Sequence, residues 1–334
     1  MAHDDYYGSD ATWQGLDARG SAISQLGVAV ATSLAGDLPP GWSKDARLMS
    51  DSPQDTPQGA APGTVKTPVP PRPASTVAIL RDGATGIEVF MVVRHHEIDF
   101  ASGAIVFPGG KVDAADGSDD WADLAAEAPT TPDRAFFVAA GRETFEEAGL
   151  VLARRRGSLE LVDAITADRL VEAHRARLLQ GETSFADILR SEGLTLALDL
   201  MVPFAHWITP EPMPKRFDTH FFLVTAPVSQ LGAHDGAESV EGLWIAPQQA
   251  LAEAEAGRRT LVFATRMNLA KLARYRTVAE AVAATRAKPV VTVVPRVKRT
   301  PEGRWLQIPA EADYGVTEVF VGDGSTFGVT AMRT

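Results

Sequence analysis

Glu143, Glu146 and Glu147 fall within five residues, and Arg142 stands immediately before them. On a helix, residues three and four apart are neighbours, so the three carboxylates share one face and Arg142 reaches Glu146. Like charges at this spacing repel by about 0.2–0.5 kcal/mol per pair, and one cation cannot relieve three acids. Two readings fit these residues. One is a solvated acidic face with an Arg–Glu pair. The other is an oxygen-only ligand set for a hard cation, Mg²⁺ or Mn²⁺, which takes one or two carboxylates plus substrate oxygens and water. Upstream, Gly109 and Gly110 follow Pro108 and let the backbone turn tightly and approach another group. The Gly109 carbonyl is a candidate ligand, and Asp113 and Asp116 add acid to the same connection.

These residues need elements to hold them. AFFVAAGRETFEEA reads as a helix with Thr131 as N-cap, Pro132 at its first position and Gly149 as its stop. Phe137, Val138, Gly141 and Phe145 make its packing side. STVAILRD and IEVFMVVR, separated by DGATG, read as a hairpin. Residues 159–200 carry helical periodicity. LMVPFAHWITP, RFDTHFFLVTAP and EGLWIAP read as strands, and PQQALAEAEAG, VFATRMNLAKLARY and TVAEAVAATR as helices. VVTVVPRV and RWLQIP complete the chain as two strands. Mixed strands with helices on both sides predict a three-layer α/β/α arrangement around a mixed sheet, with a helical insertion and a helical C-terminal part.

The combination of glycine pair, acids and REx-x-EExG resembles the Nudix box. Gly110 takes the opening glycine. Arg142, Glu143, Glu146, Glu147, Gly149 and Leu150 take the closing half, with Phe145 one residue past the apolar position, which holds Thr144. Asp116 stands where the family has Glu, and residues 117–141 make a longer spacer than the family's. Such a split box is similar to that of a long-insert branch that includes a peroxisomal coenzyme A diphosphatase of animals. VFPGGKVDAAD, the pair FAHWITP and RFDTHFFL, and TRMNLAKLARY resemble that branch too. The likeness covers residues 74–310, carries insertions at 117–141 and 159–200, and leaves 311–334 as a tail. A long insert beside such a site reads as a lid.

The resemblance implies a metal-dependent hydrolase that cleaves the diphosphate linkage of a nucleoside diphosphate derivative, with coenzyme A or acyl-coenzyme A preferred. A housekeeping pyrophosphatase for nucleotide sugars, dinucleotides or oxidised nucleotides is the alternative, and a non-catalytic sensor on the same fold is a third. It implies Mg²⁺ or Mn²⁺ on Glu146, Glu147, Glu143 and the Gly109 carbonyl. Glu143 serves as ligand or base, Glu147 is catalytic, and Arg142 orients the glutamates. Asp116, Glu238 and Glu241 are candidates for a further acid. Arg94, Arg216 and His220 are candidates for substrate contact. Arg216, Asp218 and His220 alternate along one strand face.

The chain has 334 residues and a net charge of -11, which argues against nucleic acid or an anionic membrane as a partner but suits a cation. Without cysteine there is no disulfide, thiolate nucleophile or zinc–thiolate site. No G-x-S-x-G, Walker A, H-E-x-x-H or G-x-G-x-x-G occurs. No apolar run reaches a membrane-spanning length, the N-terminus is not a secretory signal, and the end, TAMRT, is not a peroxisomal tripeptide, so a cytoplasmic setting is expected. A homodimer stays open. Residues 1–73, with nine prolines from Pro39 to Pro73, read as a flexible Pro/Gly/Asp-rich extension holding one short helix near Ser21–Ser33.

Overall fold

The computed structural model describes residues 69–93, 104–125, 132–211, 213–230, 242–301, 303–321 and 331–333. Most of the N-terminal extension, with its expected short helix, lies outside them. The strand expected to begin near Ala74 starts earlier, because β1 spans Arg72–Gly83. It turns at once into β2, Gly86–Val93, antiparallel with Gly83 opposite Gly86, as DGATG requires. Next come β3, Ile105–Val106, and β4, Gly109–Lys111. Short helix α1, Trp121–Leu124, precedes the acidic helix α2, Arg134–Ala148. β5, Ala153–Arg155, is followed by α3, Ala164–Leu170, a π-helical stretch over Val171–Arg175, and α4, Ala176–Leu179. α5, Phe185–Ser191, leads to β6, Leu194–Leu196, which pairs with β5.

The strands β7, Val202–Ile208, β8, Phe217–Thr225, and β9, Gly242–Ile245, complete the middle of the chain. α6, Pro247–Glu255, α7, Phe263–Leu272, and α8, Val278–Arg286, follow. Pro295 splits the expected VVTVVPRV strand into β10, Thr292–Val293, and β11, Arg296–Thr300, which belong to different sheets. β12, Gly303–Gln307, β13, Glu318–Phe320, and β14, Ala331–Arg333, extend the second sheet in order β11-β12-β13-β14.

The main sheet has eight strands, in order β10-β7-β8-β1-β2-β3, with β4 added beside β1 and β9 beside β2. β1 runs parallel to β8 along nine residue pairs. Its other edge forks: Ala74–Thr76 pair with β4, and Leu80–Gly83 pair with β2. The fork carries the glycine strand β4 beside the middle of the sheet.

Successive side chains of a strand point to opposite faces, and here both faces are covered. Val77 and Ile79 of β1, Phe90 and Val92 of β2, and Phe222 and Val224 of β8 join one core with α2, α3 and α5. Ala78 and Leu80, Val89 and Met91, and Phe221 and Leu223 join the other, with α6–α8 residues. The three-layer α/β/α arrangement therefore follows from apolar residues at every strand position rather than at alternate ones.

Of the chain past residue 310, expected as a tail, Ala312, Tyr314 and Val319 are built into this second core. Tyr314 donates to Asn268 at 2.7 Å and accepts from the Trp207 indole at 2.8 Å, and Val319 is fully buried. The insertion behaves similarly. Trp121 and Leu124 are buried, Trp121 packs on Phe185, and its indole donates to Ala115 at 2.9 Å. Trp121 and Leu124 thus join the core while Gly117, Asp119, Asp120, Ala122 and Asp123 stay exposed. Residues 134–141 are already the first turns of α2, and residues 126–131 lie outside the described residues.

α2 starts later than expected. Its N-cap is Asp133, not Thr131, which lies outside the described residues, and Pro132 precedes the cap. Gly149 ends the helix in the left-handed region with φ 66°, its N–H donating to the Phe145 carbonyl at 3.2 Å. Beyond it, buried Gln230 holds Val151 through both backbone groups at 3.0 Å and the Val162 carbonyl at 2.9 Å. α2 is anchored chiefly by Phe137, fully buried and 4.6 Å from Phe222 between ring centroids. Phe137→Ala should therefore lower stability by about 3–5 kcal/mol, read as a fall in denaturant midpoint at unchanged m-value.

Candidate active site

α2 is not a helix with one apolar and one wet side. Arg142 and Glu143 are 8% and 7% exposed, so the charges face an enclosed space. That removes the reading of a solvated acidic face. Arg142 is the centre of the arrangement. Its Nε and Nη2 donate to the two oxygens of Asp116, each at 3.0 Å. Nη2 also donates to the Lys111 carbonyl at 2.9 Å. Nη1 donates to Glu143 Oε1 at 2.9 Å and to both oxygens of Glu146 at 3.2 Å, the i, i+4 contact expected from spacing. Asp113 stands 3.7 Å from Nη2.

Asp116, at the position where the motif has Glu, is thus 2% exposed and clamped bidentately by arginine. It also accepts from the Asp113 N–H at 2.8 Å, which closes the short 3-10 turn Ala114–Gly117.

The glycine pair meets the glutamates directly. The Gly109 N–H donates to Glu147 Oε2 at 2.8 Å. A Cβ on Gly110 would sit 2.3 Å from Glu143 Oε1, and one on Gly109 would sit 2.4 Å from the Ser75 carbonyl. Close approach, not only a tight turn, is what both positions require.

A cation missing from the sequence reading is Arg175, at the end of the π-helical stretch. Its Nε donates to the Glu146 carbonyl at 2.6 Å, so it serves the C-terminal end of α2, where cations are favoured. The charges of Glu147 and Glu146 also act on it. Its signal was confined to a π-bulge, which periodicity does not disclose.

Asp113, Asp116, Glu143, Glu146 and Glu147 therefore share two guanidiniums. Burial pushes the Glu143 carboxyl up to about 8; Arg142 opposes this, while Glu146 and Glu147 add to it. Burial likewise raises Glu146 against the pull of Arg142. Arg142 rises too: burial pulls it down, but the Asp116 hydrogen bond and the charges of Glu143, Asp116 and Glu146 more than reverse that. Glu143 rises first because it is buried and then because neighbouring carboxylates crowd it, whereas Arg142 rises because those carboxylates surround it. An excess of oxygen donors held half-dry is a donor set that fits Mg²⁺ or Mn²⁺.

The other sequence candidates separate. Arg216 is buried and its guanidinium goes to backbone, with Nε to the Thr209 carbonyl at 2.9 Å and Nη1 to the Val69 carbonyl at 2.8 Å. It ties the β7–β8 turn to the start of β1 and is not offered to a substrate. His220 lies on the α2 side of the sheet against Phe136, with ring centroids 4.3 Å apart. Asp218 is beside it, and His206 of β7, overlooked in the sequence, faces it across the register. Arg94, Glu238 and Glu241 lie outside the described residues. No helix among the described residues is long and apolar enough to cross a membrane.

Comparison with known proteins bears on this arrangement. The family model for the NUDT19 Nudix domain matches residues 125–262, which include all of α2. The chain is 27% identical over 215 residues to the acyl-coenzyme A diphosphatase NUDT19 of Gallus gallus, covering 51% of this chain and 56% of that protein. It is 30% identical over 192 residues to a putative nudix hydrolase 7 of Caenorhabditis elegans, covering 56% of each. The chain thus spans a little over half the length of these relatives. Among solved structures, a NUDIX hydrolase from Alicyclobacillus acidocaldarius is 27% identical with a TM-score of 0.50, covering 64% of this chain and 96% of that one.

Removing Arg142 should leave Asp116 and Glu143 buried without their cation. Arg142→Ala is expected to cost about 3–5 kcal/mol, measured by denaturant unfolding. The pH response of the metal-free protein has a definite sign. Glu143 binds its proton more tightly folded than unfolded, so its stabilising effect is complete below about 4.5 and is lost as pH rises toward about 8. His220, lowered to about 4, acts oppositely below its ordinary value near 6.5. Melting temperatures of wild type and Glu143→Gln compared from pH 5 to 8 isolate the first effect. The wild type should lose ground to the variant as pH rises, and added Mg²⁺ should reduce that loss.

Proposed function

We propose that the chain is a Nudix hydrolase, as the matched family model and the named relatives support, and that it hydrolyses the diphosphate linkage of a nucleoside diphosphate derivative, with coenzyme A or an acyl-coenzyme A as substrate. The observation that carries the hydrolytic reading is the meeting of the two halves of the split motif: Glu143 against Gly110, Glu147 on the Gly109 N–H, and Asp116 clamped by Arg142. The coenzyme A preference is supported by the name of the Gallus gallus relative.

Glu146, Glu147, Glu143 and the Gly109 carbonyl are the groups that would hold Mg²⁺ or Mn²⁺. Bound there, such an ion neutralises diphosphate charge and lowers the pKa of a water. The protein's own part is positioning. Arg142 holds Glu143 and Glu146 at set angles, and Asp116 holds Arg142. Gly110 lets the Glu143 carboxylate pack against its backbone, since a Cβ there would sit 2.3 Å from Oε1, and Glu143 serves either as a ligand or as the base that takes the proton of the attacking water. The water oxygen bonds to phosphorus as the bridging P–O bond breaks. With coenzyme A, the products are a phosphopantetheine and an adenosine bisphosphate. Asp113 and the glutamates make the empty site repel an anionic diphosphate, so substrate entry requires the cation.

The test is chromatographic product analysis with Mg²⁺ or Mn²⁺ on coenzyme A, acyl-coenzyme A, NADH, ADP-ribose and nucleoside triphosphates. Coenzyme A should be cleaved into the two products named, and Glu147→Gln should lower kcat by at least 10²-fold, about 2.7 kcal/mol. Preferential cleavage of a nucleotide sugar, dinucleotide or oxidised nucleotide would retain the site and overturn the substrate. Absence of turnover on every compound, with metal still bound, would favour a non-catalytic sensor.

A further inference from the structure

A second set of metal-ligating side chains lies away from the acids. His206 of β7 with Asp218 and His220 of β8 place one ligand atom each within 4.8 Å of one another, all half-buried. Antiparallel register sets His206 opposite His220, and Asp218 is two residues before His220 on the same face. That face is the one covered by α2, since Phe222, next in the same alternation, lies in the α2 core.

We propose that His206, Asp218 and His220 bind one divalent transition-metal ion of the Zn²⁺ or Co²⁺ type, at a site distinct from the acidic end of α2.

Ligand chemistry separates the two sites. Imidazole suits zinc, cobalt, nickel and copper, whereas an all-oxygen set suits magnesium and manganese. The orientation of His206 is of the kind used by metal-ligating histidines, whose far nitrogen is held by another group. Its Nδ1 lies 2.8 Å from Thr292 Oγ1, which aims Nε2 inward at Asp218 Oδ1, 2.5 Å away. The His220 ring makes no hydrogen bond to any described residue, and it is half-buried between the His206 ring, stacked at 3.9 Å and 10°, and Phe136. Its ring nitrogens are therefore not engaged by the described residues and are available to a ligand. Burial and the neighbouring His206 hold His220 down at about 4, so its ring is neutral, the form that ligates. Asp218 and Asp133 supply negative charge facing it.

Ligands at about 2.0–2.1 Å in adjacent positions stand about 3 Å apart. Metal entry therefore requires the His206–Asp218 pair, now 2.5 Å apart, to open by roughly 0.5–0.9 Å and the His220 ring to turn its edge inward. Water completes the coordination. The ion would sit beside Phe136 in the first turn of α2, and Glu143 is seven residues further on, about 10 Å along the axis at 1.5 Å per residue. A single ion cannot serve both places.

The inference does not depend on the hydrolase reading. It is tested in a Glu146→Gln, Glu147→Gln background, which weakens the acidic site. The metal-free protein is titrated with Co²⁺ and followed by its visible d–d absorption, then with Zn²⁺. One equivalent of Co²⁺ at micromolar affinity, displaced by Zn²⁺ and lost in His206→Ala, His220→Ala, supports the site. Failure to bind, or binding untouched by removal of both histidines, overturns it in favour of a plain His206–Asp218 hydrogen bond. If the histidine variant does not fold, by circular dichroism, imidazole 15N signals of the intact chain decide. One equivalent of Co²⁺ should shift or broaden those of His206 and His220, and unshifted signals overturn the proposal.

Discussion

One buried guanidinium sets where everything else at the acidic site must stand. Arg142 engages Asp116 with two donors, Glu143 and Glu146 with a third, and the Lys111 carbonyl as well. The planar fork of arginine allows this, and the point charge of lysine does not. Burying charge is costly unless every partner is satisfied. That cost becomes useful order: no member of the group can move without stranding another. The β4 strand, the 3-10 turn after it and α2 are joined through this one side chain.

The same contact explains how the motif survives being split. Asp116 and Arg142 are 26 positions apart. The entropy of closing such a loop grows only with the logarithm of its length, about 0.6 kcal/mol per doubling. Extra residues between the halves are thus cheap if the two ends still find each other. Here they are made cheaper by Trp121 and Leu124, which bury themselves against Phe185 and its neighbours rather than hang in water. Through these two side chains the described part of the insertion joins the core that supports the helix.

Legibility in the sequence followed the range of the interaction. The β1–β2 hairpin, α2 with its Gly149 stop, and α6 to α8 were readable, because turn chemistry, caps and periodicity are local. The spacing of Glu143, Glu146 and Glu147 announced the acidic cluster, and Arg142 to Glu146 formed at i, i+4. What was not readable depended on residues far apart in the chain. Arg216 looked available because alternation gives a face but not a partner; Val69, 147 positions away, takes it. Arg175 reaches α2 from a π-bulge, and His206 gains meaning only once β7 lies beside β8. Tyr314 looked like tail because its partners, Trp207 and Asn268, are 107 and 46 positions away.

A helix buried nearly all round has little freedom to choose what its ends face. The sheet decides for it. β1 forks, so its N-terminal half holds the glycine strand on one edge and β8 on the other. Ser75, at that half, pairs with both Gly110 and His220 and also donates its hydroxyl to the Phe136 carbonyl at 2.7 Å. One buried serine therefore fixes the first turn of α2 over the histidines of β7 and β8. The helix rise then determines that residues 143 to 147 arrive over β4 and its glycines. A shift of α2 by one residue would rotate it by about 100° and turn Arg142 away from Asp116. The acidic end and the histidine end are consequently set by the same register, and a change that slides the helix at one end must disturb the chemistry at the other.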